Sequence, residues 1–374
     1  MKGLVIWSQS VCRSTMGLYR ALGKALGVPI VVPFWAVKKA PECVNIRNVV
    51  GFRDDEFSDM DTVPVWEDHD AGLAVLNSHK GWNHLCCNSQ RSPNFRLLQL
   101  EAAARGEKTA VGMESPCNMF HGAKRILKKM YYRTALPWKM RNVIKSSCFF
   151  VNYSGDDDKN AQLIGWPQGK IIPFGYFPPP VPETLICGRK TNKPFEILVT
   201  GEHTWHRGAD VAVNALALLK EMGVPYHATI TQNGPLRARD EALSKKLCLS
   251  IDFTGRMPIE ELRKAYETCS VFIGAGRAEP WGMRLNDALN CGAPLVVSRG
   301  MGGVKMVDDY GCGLSFKNGN PVDLAEKLRQ LATDDGLYAR CALNAVRAAT
   351  ECSPERKAQE LIKIIQERFP SWLD

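Results

Sequence analysis

The chain has 374 residues, of which 45% are hydrophobic and 23% charged, and its formal net charge is +9. This length exceeds one compact core and suits two domains, and the balanced composition excludes wholesale disorder. No apolar run approaches the roughly 20 residues of a membrane-spanning helix, and the short apolar run near the N-terminus predicts a buried strand rather than a signal peptide. We therefore expect a soluble, cytoplasmic protein.

The cysteine pattern favours free thiols. The 13 cysteines form no C-x-x-C pair, and most lie in apolar segments such as SSCFFV around Cys148. Buried thiols in a reducing compartment are therefore expected, rather than a disulfide framework or a zinc site.

The first half of the chain alternates short apolar strands with helices. The predicted strands are Leu4–Ser8, Pro29–Phe34, His84–Asn88, Thr109–Met113 and Ser147–Tyr153, and the predicted helices are Gly17–Leu26 and Phe95–Arg105. This alternation predicts a parallel, doubly wound sheet with helices on both faces. Residues 1–172 are expected to form this first domain.

A proline-rich break over 173–194 predicts a linker, and the pattern then restarts over 195–352. The predicted strands there are Glu196–Thr200, His227–Thr231, Ile251–Thr254, Val271–Ala275 and Pro294–Ser298, and the helices are Ala209–Met222, Ile259–Thr268, Met283–Asn290, Pro321–Leu331 and Asp335–Ala349. A last helix, Pro354–Arg368, lies in a segment 353–374 that we expect to pack back toward the first domain. Ligands bind at the carboxyl ends of such parallel strands, so the cleft between two such domains is the expected site.

Residues 274–303 carry the most chemical information. A predicted strand ends at Ala275, a loop then carries Glu279 and a Pro-Trp-Gly turn, and a helix begins near Met283. The free amides and positive dipole of such a helix start favour a phosphate. Glu279 and Asp287 form a spaced pair of carboxylates, and the pair by itself is equally consistent with a turn cap and a solvent-exposed side chain.

This segment resembles the signature of retaining family 4 glycosyltransferases, whose GT-B fold is two doubly wound Rossmann-like domains facing each other across a cleft. The matching residues are Glu279, Pro280, Trp281, Gly282, Asn290, Cys291, Gly292 and Pro294, with Asp287 in place of the family's second Glu. The resemblance implies that Glu279 contacts the donor sugar and Asp287 the nucleotide ribose. It also implies a diphosphate lined by the amides of Gly282, Met283, Arg284 and Leu285, next to Trp281.

Residues 195–219 resemble the family's first donor-domain strand and loop, where an Arg and a Lys neutralise the leaving diphosphate. Gly201 and Gly208 align, and Arg207 stands at the Lys position. The Arg position holds Glu202, and a carboxylate beside a diphosphate is unfavourable. We therefore expect Glu202 to point away, or another cation, Arg284 or Arg277, to compensate.

Shorter matches complete the implied site. Gln232 lies in a turn after the second donor-domain strand, and Thr254, Gly255 and Arg256 resemble the loop that frames the nucleotide base. In the first domain the resemblance implies acceptor contacts from the loop that carries Ser14, Thr15 and Gly17. Glu114 is a catalytic candidate by position alone, and a plain loop carboxylate is the alternative. Together with Glu279 and Arg207 it forms the candidate catalytic set.

The resemblance implies a hexosyltransferase-like enzyme that needs no cofactor or metal and uses a UDP- or GDP-linked sugar. Arg, Lys and helix amides meet the diphosphate charge, and the departing phosphate oxygen takes the proton of the acceptor hydroxyl. No G-x-G-x-x-G follows the first strand, which argues against a nicotinamide enzyme.

The acceptor is suggested by a basic stretch in the first half, which carries 23 Lys and Arg against 15 Asp and Glu over residues 1–172. No acidic residue lies between Glu114 and Asp156, whereas apolar and aromatic residues alternate with Lys124, Arg125, Lys128, Lys129, Arg133, Lys139, Arg141 and Lys145. Residues 124–145 suit an anionic membrane surface, so we expect a peripheral enzyme acting on a cell-envelope glycan or lipid-linked glycan of the O-antigen or capsule type.

Three alternatives stay open. The basic stretch equally suits a phosphate backbone, as in a virus-type glycosyltransferase that acts on a modified DNA base. It is also consistent with an ordinary solvated helix face. Finally, the changes at Glu202 and Asp287 are compatible with a non-catalytic relative that only binds a nucleotide sugar.

Overall fold

The computed structural model describes residues 1–9, 11–35, 58–65, 68–87, 89–117, 119–120, 122–155, 158–179 and 194–374. Its contacts divide the chain into two units. The first comprises Met1–Pro116, Leu127–Pro179 and Cys352–Asp374, and the second comprises Cys117–Ile126 and Pro180–Glu351. The predicted linker falls partly outside the described residues, and the sequence does not predict the assignment of Cys117–Ile126 to the second unit.

The first unit is built on a parallel sheet of seven described strands. They are β1 (Leu4–Trp7), β2 (Ile30–Phe34), β3 (Asp61–Pro64), β4 (Asn83–Cys86), β5 (Thr109–Met113), β6 (Ser147–Asn152) and β7 (Ile171–Pro173). Their spatial order is β3-β2-β1-β4-β5-β6-β7. This order winds outward from β1 in both directions, which confirms the predicted doubly wound topology.

Helices of the first unit cover its sheet. They are α1 (Arg13–Leu26), α2 (His69–Ser78), α3 (Pro93–Ala104), α4 (Ala123–Arg133, which begins in the second unit), α5 (Ala135–Ser146) and α6 (Asp158–Leu163). Asp68 and Ser92 accept hydrogen bonds from the first-turn amides of α2 and α3, and these caps fix where the two helices start.

The second unit has a parallel sheet of six strands. They are β8 (Phe195–Val199), β9 (Tyr226–Thr231), β10 (Ile251–Gly255), β11 (Val271–Gly274), β12 (Leu295–Ser298) and β13 (Gly313–Phe316). Their order is β10-β9-β8-β11-β12-β13, so the topology again winds outward from the first strand. Because β8 and β11 are neighbours, the loops that follow them lie side by side at the carboxyl edge of this sheet.

The remaining helices are α7 (Ala209–Glu221), α8 (Arg237–Lys246), α9 (Ile259–Thr268), α10 (Arg284–Asn290), α11 (Val304–Tyr310), α12 (Pro321–Thr333), α13 (Asp335–Glu351) and α14 (Pro354–Arg368). Helix α14 belongs to the first unit, where it packs against α1. Ser353 caps α14, as its Ser-Pro start predicts.

The cysteines and the helix hydrophobicity can also be compared with the sequence analysis. The 11 described cysteines are all free, and seven of them are buried. Over the described residues, no helix combines the length and the apolar character needed to cross a bilayer.

Candidate functional site

The candidate site lies in the second unit, where the loops after β8 and β11 meet. The first loop ends in a short helical turn, Trp205–Arg207, followed by Gly208 in the left-handed backbone region at φ 72°. A side chain on Gly208 would overlap the carbonyl oxygen of Ala275. Glycine at this position therefore allows the two loops to touch, which places Arg207 beside the β11 loop.

Glu279 is the centre of this site, and its backbone is held by the loop after β12. Its N–H donates to the Gly300 carbonyl and its carbonyl accepts from the Gly302 N–H, each at 3.0 Å. Its carboxylate is only 8% exposed and binds two guanidinium groups. Arg207 donates to Oε1, and Arg284 donates to Oε2 at 2.6 Å.

These contacts set the charge of the site. Burial alone would raise the pKa of Glu279, but Arg284 and Arg207 outweigh it and hold that pKa below its usual value. Burial and Arg207 lower the pKa of His206, which is therefore neutral near pH 7. We call Arg207, Glu279 and Arg284 the Arg-Glu-Arg cluster; it carries two positive charges against one negative charge.

Arg277 and Arg284, the two arginines expected to compensate for Glu202, lie in different places in the structure. The Arg277 guanidinium binds both carboxylate oxygens of Asp210 at 2.7 Å and lies over the Trp205 ring, so it is engaged outside the cluster. Arg284 belongs to the cluster. The Glu202 side chain is exposed to solvent, as its unfavourable charge predicts.

The predicted site residues in α10 and in the loop before it have different surroundings. Trp281 is buried, and its indole N–H donates to Asn286 at 2.9 Å. This hydrogen bond joins the loop to helix α10. The Leu285 amide donates to the Gly282 carbonyl at 2.9 Å. Of the four amides predicted to line the diphosphate, that of Leu285 is therefore already hydrogen-bonded within the protein. Asp287 is half-buried near Tyr266, whose pKa is raised first by burial and then by the Asp287 charge.

The predicted base-contacting residues lie after β9 and at the end of β10. Gln232 has φ 78°, and its N–H donates to the Gly255 carbonyl at 2.6 Å, which joins the two strand ends. Thr254 and Arg256 are exposed on either side of Gly255. Contacts between these residues and a nucleotide base remain a prediction.

A buried pair that the sequence analysis missed anchors the β8 loop. His203 Nδ1 lies 2.8 Å from Asp240 Oδ2, and both side chains are almost fully buried. Gly234 packs directly on the His203 backbone, which leaves no room for a side chain there. The pair is 37 positions apart in the chain and belongs to no local motif, so spacing gave no signal for it.

The acceptor residues predicted in the first unit make contacts within that unit. Thr15 bonds to Cys12 in the first turn of α1, and a side chain on Gly17 would overlap Pro179 and crowd Pro354 of α14. The side chain of Ser14 lies outside the described residues. Glu114 follows β5, is half-buried, and lies 3.7 Å from the exposed Arg91 guanidinium. The acceptor and catalytic roles of these residues remain predictions.

The basic stretch forms α4 and α5, and four of its large apolar side chains are exposed. Ile126, Leu127, Met130 and Trp138 are 64%, 66%, 59% and 68% exposed. Only Tyr132 of α4 is buried, whereas α5 buries a stripe of four residues, so α4 is not an ordinary amphipathic core helix. The Arg141 guanidinium stacks on the Trp138 ring at 4.4 Å.

Segments of the chain are similar to known glycosyltransferases. Residues 188–347 match the family model described as "Glycosyl transferases group 1". A 173-residue segment is 25% identical to an uncharacterised glycosyltransferase of Methanocaldococcus jannaschii and covers 46% of this chain and 47% of that protein. A 109-residue segment is 36% identical to a GDP-mannose-dependent α-(1-6)-phosphatidylinositol dimannoside mannosyltransferase of Mycobacterium tuberculosis and covers 28% of each chain. The matches thus span about half or less of these curated relatives.

The whole fold is similar to that of Anabaena HepE, solved in complex with UDP. The TM-score is 0.68 over 98% of this chain and 100% of that chain, at 13% sequence identity. This similarity concerns the fold alone and confirms the predicted GT-B class of two Rossmann-like domains. Over residues 188–347, the family match confirms the predicted resemblance to glycosyltransferases.

Replacing Glu279 with Gln removes the charge that both guanidinium groups bind. Because the pKa of Glu279 is lower in the folded chain than in the unfolded chain, its stabilisation is complete above an ordinary Glu pKa of about 4.3. It is lost as the pH falls through the lowered folded value. We expect Glu279→Gln to lower the free energy of unfolding by about 3 kcal/mol near pH 7. This deficit should shrink below about pH 4 in urea titrations.

Glu326→Gln is the matched control, because Glu326 also binds an arginine, Arg329, at 2.7 Å but lies on the surface. Exposed pairs contribute little to stability, so we expect almost no change at either pH. A Glu279→Gln deficit that stays constant over the whole pH range would contradict the assigned charge state.

Proposed function

We propose that the protein transfers a sugar from a nucleoside-diphosphate sugar to a hydroxyl of a glycan or lipid-linked glycan. This proposal agrees with the match of residues 188–347 to the glycosyl transferases group 1 family. The observation that carries the proposal is the Arg-Glu-Arg cluster at the carboxyl ends of β8 and β11. Ligands of parallel α/β sheets bind at this edge.

The charge of the cluster matches that of the leaving group. When a sugar leaves a nucleoside diphosphate, negative charge develops on the diphosphate, and fixed cations next to it lower the barrier. Arg207 is 33% exposed, so its guanidinium is accessible to a ligand while one nitrogen holds Glu279. One guanidinium group can donate two parallel hydrogen bonds to a phosphate, and this bidentate contact also orients the donor.

The cluster also supports a retaining reaction with no dedicated protein base. Because the pKa of Glu279 is held low by its two arginines, its carboxylate is a poor proton acceptor. In the proposed reaction the departing phosphate oxygen takes the proton of the acceptor hydroxyl, and the sugar bonds to the acceptor oxygen on the face that the phosphate leaves. Glu279 holds the arginines and contacts the donor sugar. Since arginines and amides meet the diphosphate charge, the reaction as proposed uses no metal.

The donor belongs to the UDP or GDP class in this proposal. The mycobacterial relative is named as GDP-mannose-dependent, and the Anabaena structure contains UDP. The exposed Thr254 and Arg256 at the end of β10 are the proposed contacts for the base, and Asp287 the proposed contact for the ribose.

Nucleotide binding tests the donor site. We expect UDP or GDP, but not CMP, to raise the melting temperature, by the equivalent of about 2.7 kcal/mol at a hundredfold excess over the dissociation constant. Arg207→Ala should abolish this shift, because it removes one of the two cluster cations. Arg347→Ala on the exposed face of α13 is the control and should keep it. A wild-type protein that no nucleoside diphosphate stabilises would contradict the proposal.

We further propose that the acceptor is met at an anionic membrane surface through α4 and α5. Eight basic residues lie here with no acidic residue between 115 and 155, and four large apolar side chains on the two helices are more than half exposed. Apolar side chains that insert among lipid tails, flanked by cations that bind acidic headgroups, are typical of helices that lie in the membrane interface.

Vesicle binding tests this surface. We expect the protein to cosediment with phosphatidylglycerol vesicles and not with phosphatidylcholine vesicles. Lys128→Gln with Lys129→Gln should weaken binding about tenfold or more, since each lysine near an anionic surface contributes about 1 kcal/mol. Lys245→Gln with Lys246→Gln on α8 is the charge-matched control. Salt-dependent binding to duplex DNA without binding to anionic vesicles would instead support the DNA-modifying alternative.

A further inference from the structure

We propose that Arg284 is the second diphosphate-binding cation of the donor site. It takes the place of the arginine of the resembled motif, whose position is occupied by Glu202 in this chain. This inference rests on the proposed function and identifies how this chain compensates a charge that its own β8 loop lacks. The cation comes from the start of α10 instead of the β8 loop.

The backbone makes room for Arg284 at the point where the charge is missing. Gly201 immediately precedes Glu202 and has φ 129°, a conformation that favours glycine. A side chain on Gly201 would overlap the Arg284 guanidinium nitrogen Nη1. The guanidinium group therefore lies directly against the backbone of the β8 loop, one residue from the position of Glu202.

Arg284 has hydrogen-bonding capacity that the protein does not use. Its side chain is only 10% exposed, and within the described part of the chain it donates one hydrogen bond, from Nη2 to Glu279. Among the described residues, the Nε atoms of Arg284 and Arg207 are both buried without a hydrogen-bond partner. Unsatisfied buried donors are rare and costly in folded proteins. Two of them on neighbouring guanidinium groups point to an anionic ligand with several oxygens.

The charge balance leads to the same ligand. The Arg-Glu-Arg cluster holds two cations against one carboxylate, and burial lowers the pKa of Arg284, which reflects the cost of keeping its charge there. Asp210 is bound by Arg277, and the exposed Glu202 carboxylate is screened by water. A diphosphate supplies the missing negative charge and the oxygen acceptors together.

The test compares the affinity for a nucleoside diphosphate with that for the matching monophosphate, because Arg284 is proposed to bind phosphate and not the base. Wild type should prefer the diphosphate in calorimetric titrations with UDP and UMP, or with GDP and GMP. We expect Arg284→Met to reduce this preference about tenfold to a hundredfold, the usual effect of a lost charge-assisted hydrogen bond, with little change in monophosphate affinity.

Arg277→Met is the matched control, because it also removes a largely buried guanidinium from a carboxylate at the same sheet edge. It should keep the wild-type preference. In the Arg284→Met background, Glu202→Arg should restore much of the preference by returning a cation to the β8 loop. If Arg284→Met does not fold, Arg284→Lys replaces it, and we expect a loss of about threefold or more, since one ammonium cannot bind both Glu279 and the diphosphate as a guanidinium can.

The outcomes separate the two proposals. A wild-type protein that binds no nucleoside diphosphate contradicts the proposed function itself. If wild type binds the diphosphate and the Arg284 variant keeps the full preference, the donor site stands and the role of Arg284 is refuted. An equal loss of monophosphate and diphosphate affinity also refutes it, because that pattern indicates damage to the whole site.

Discussion

A carboxylate bound between two arginines determines how the carboxyl edge of the second domain is arranged. Glu279 comes from the loop after β11, Arg207 from the loop after β8, and Arg284 from the start of α10. Glu279 and Arg284 are buried, and neither ion is stable there without an oppositely charged partner. Gly208 lets the β8 loop approach the backbone of Ala275, and Gly201 leaves room for the Arg284 guanidinium.

Much of the fold could be predicted from the sequence, because the central strands of a parallel sheet are continuous apolar runs. Thr109–Met113 and the helix Ile259–Thr268 have the predicted bounds. The strand Asp61–Pro64 was missed because it lies at a sheet edge with no buried side chain, so its sequence lacks an apolar run. Helix Arg237–Lys246 was missed because its sequence is mostly polar.

The candidate site was only partly predictable. Glu279 and Arg207 stand in local motifs, so the resemblance of those motifs to a known family was sufficient to point to them. The pairs Asp210–Arg277 and His203–Asp240 join residues 67 and 37 positions apart, and they become visible only when the sheet brings the loops together. The exposed apolar face of α4 was also unpredictable, because a sequence pattern does not show whether an apolar stripe is covered.

Hydrogen exchange, measured by mass spectrometry with and without a saturating nucleoside diphosphate, tests the central claim most directly. If the Arg-Glu-Arg cluster binds the diphosphate, amide protection should increase in segments 200–208 and 276–286, while β13 at the edge of the same sheet stays unchanged. Protection confined to other segments, or equal protection by the nucleoside alone, would contradict the account.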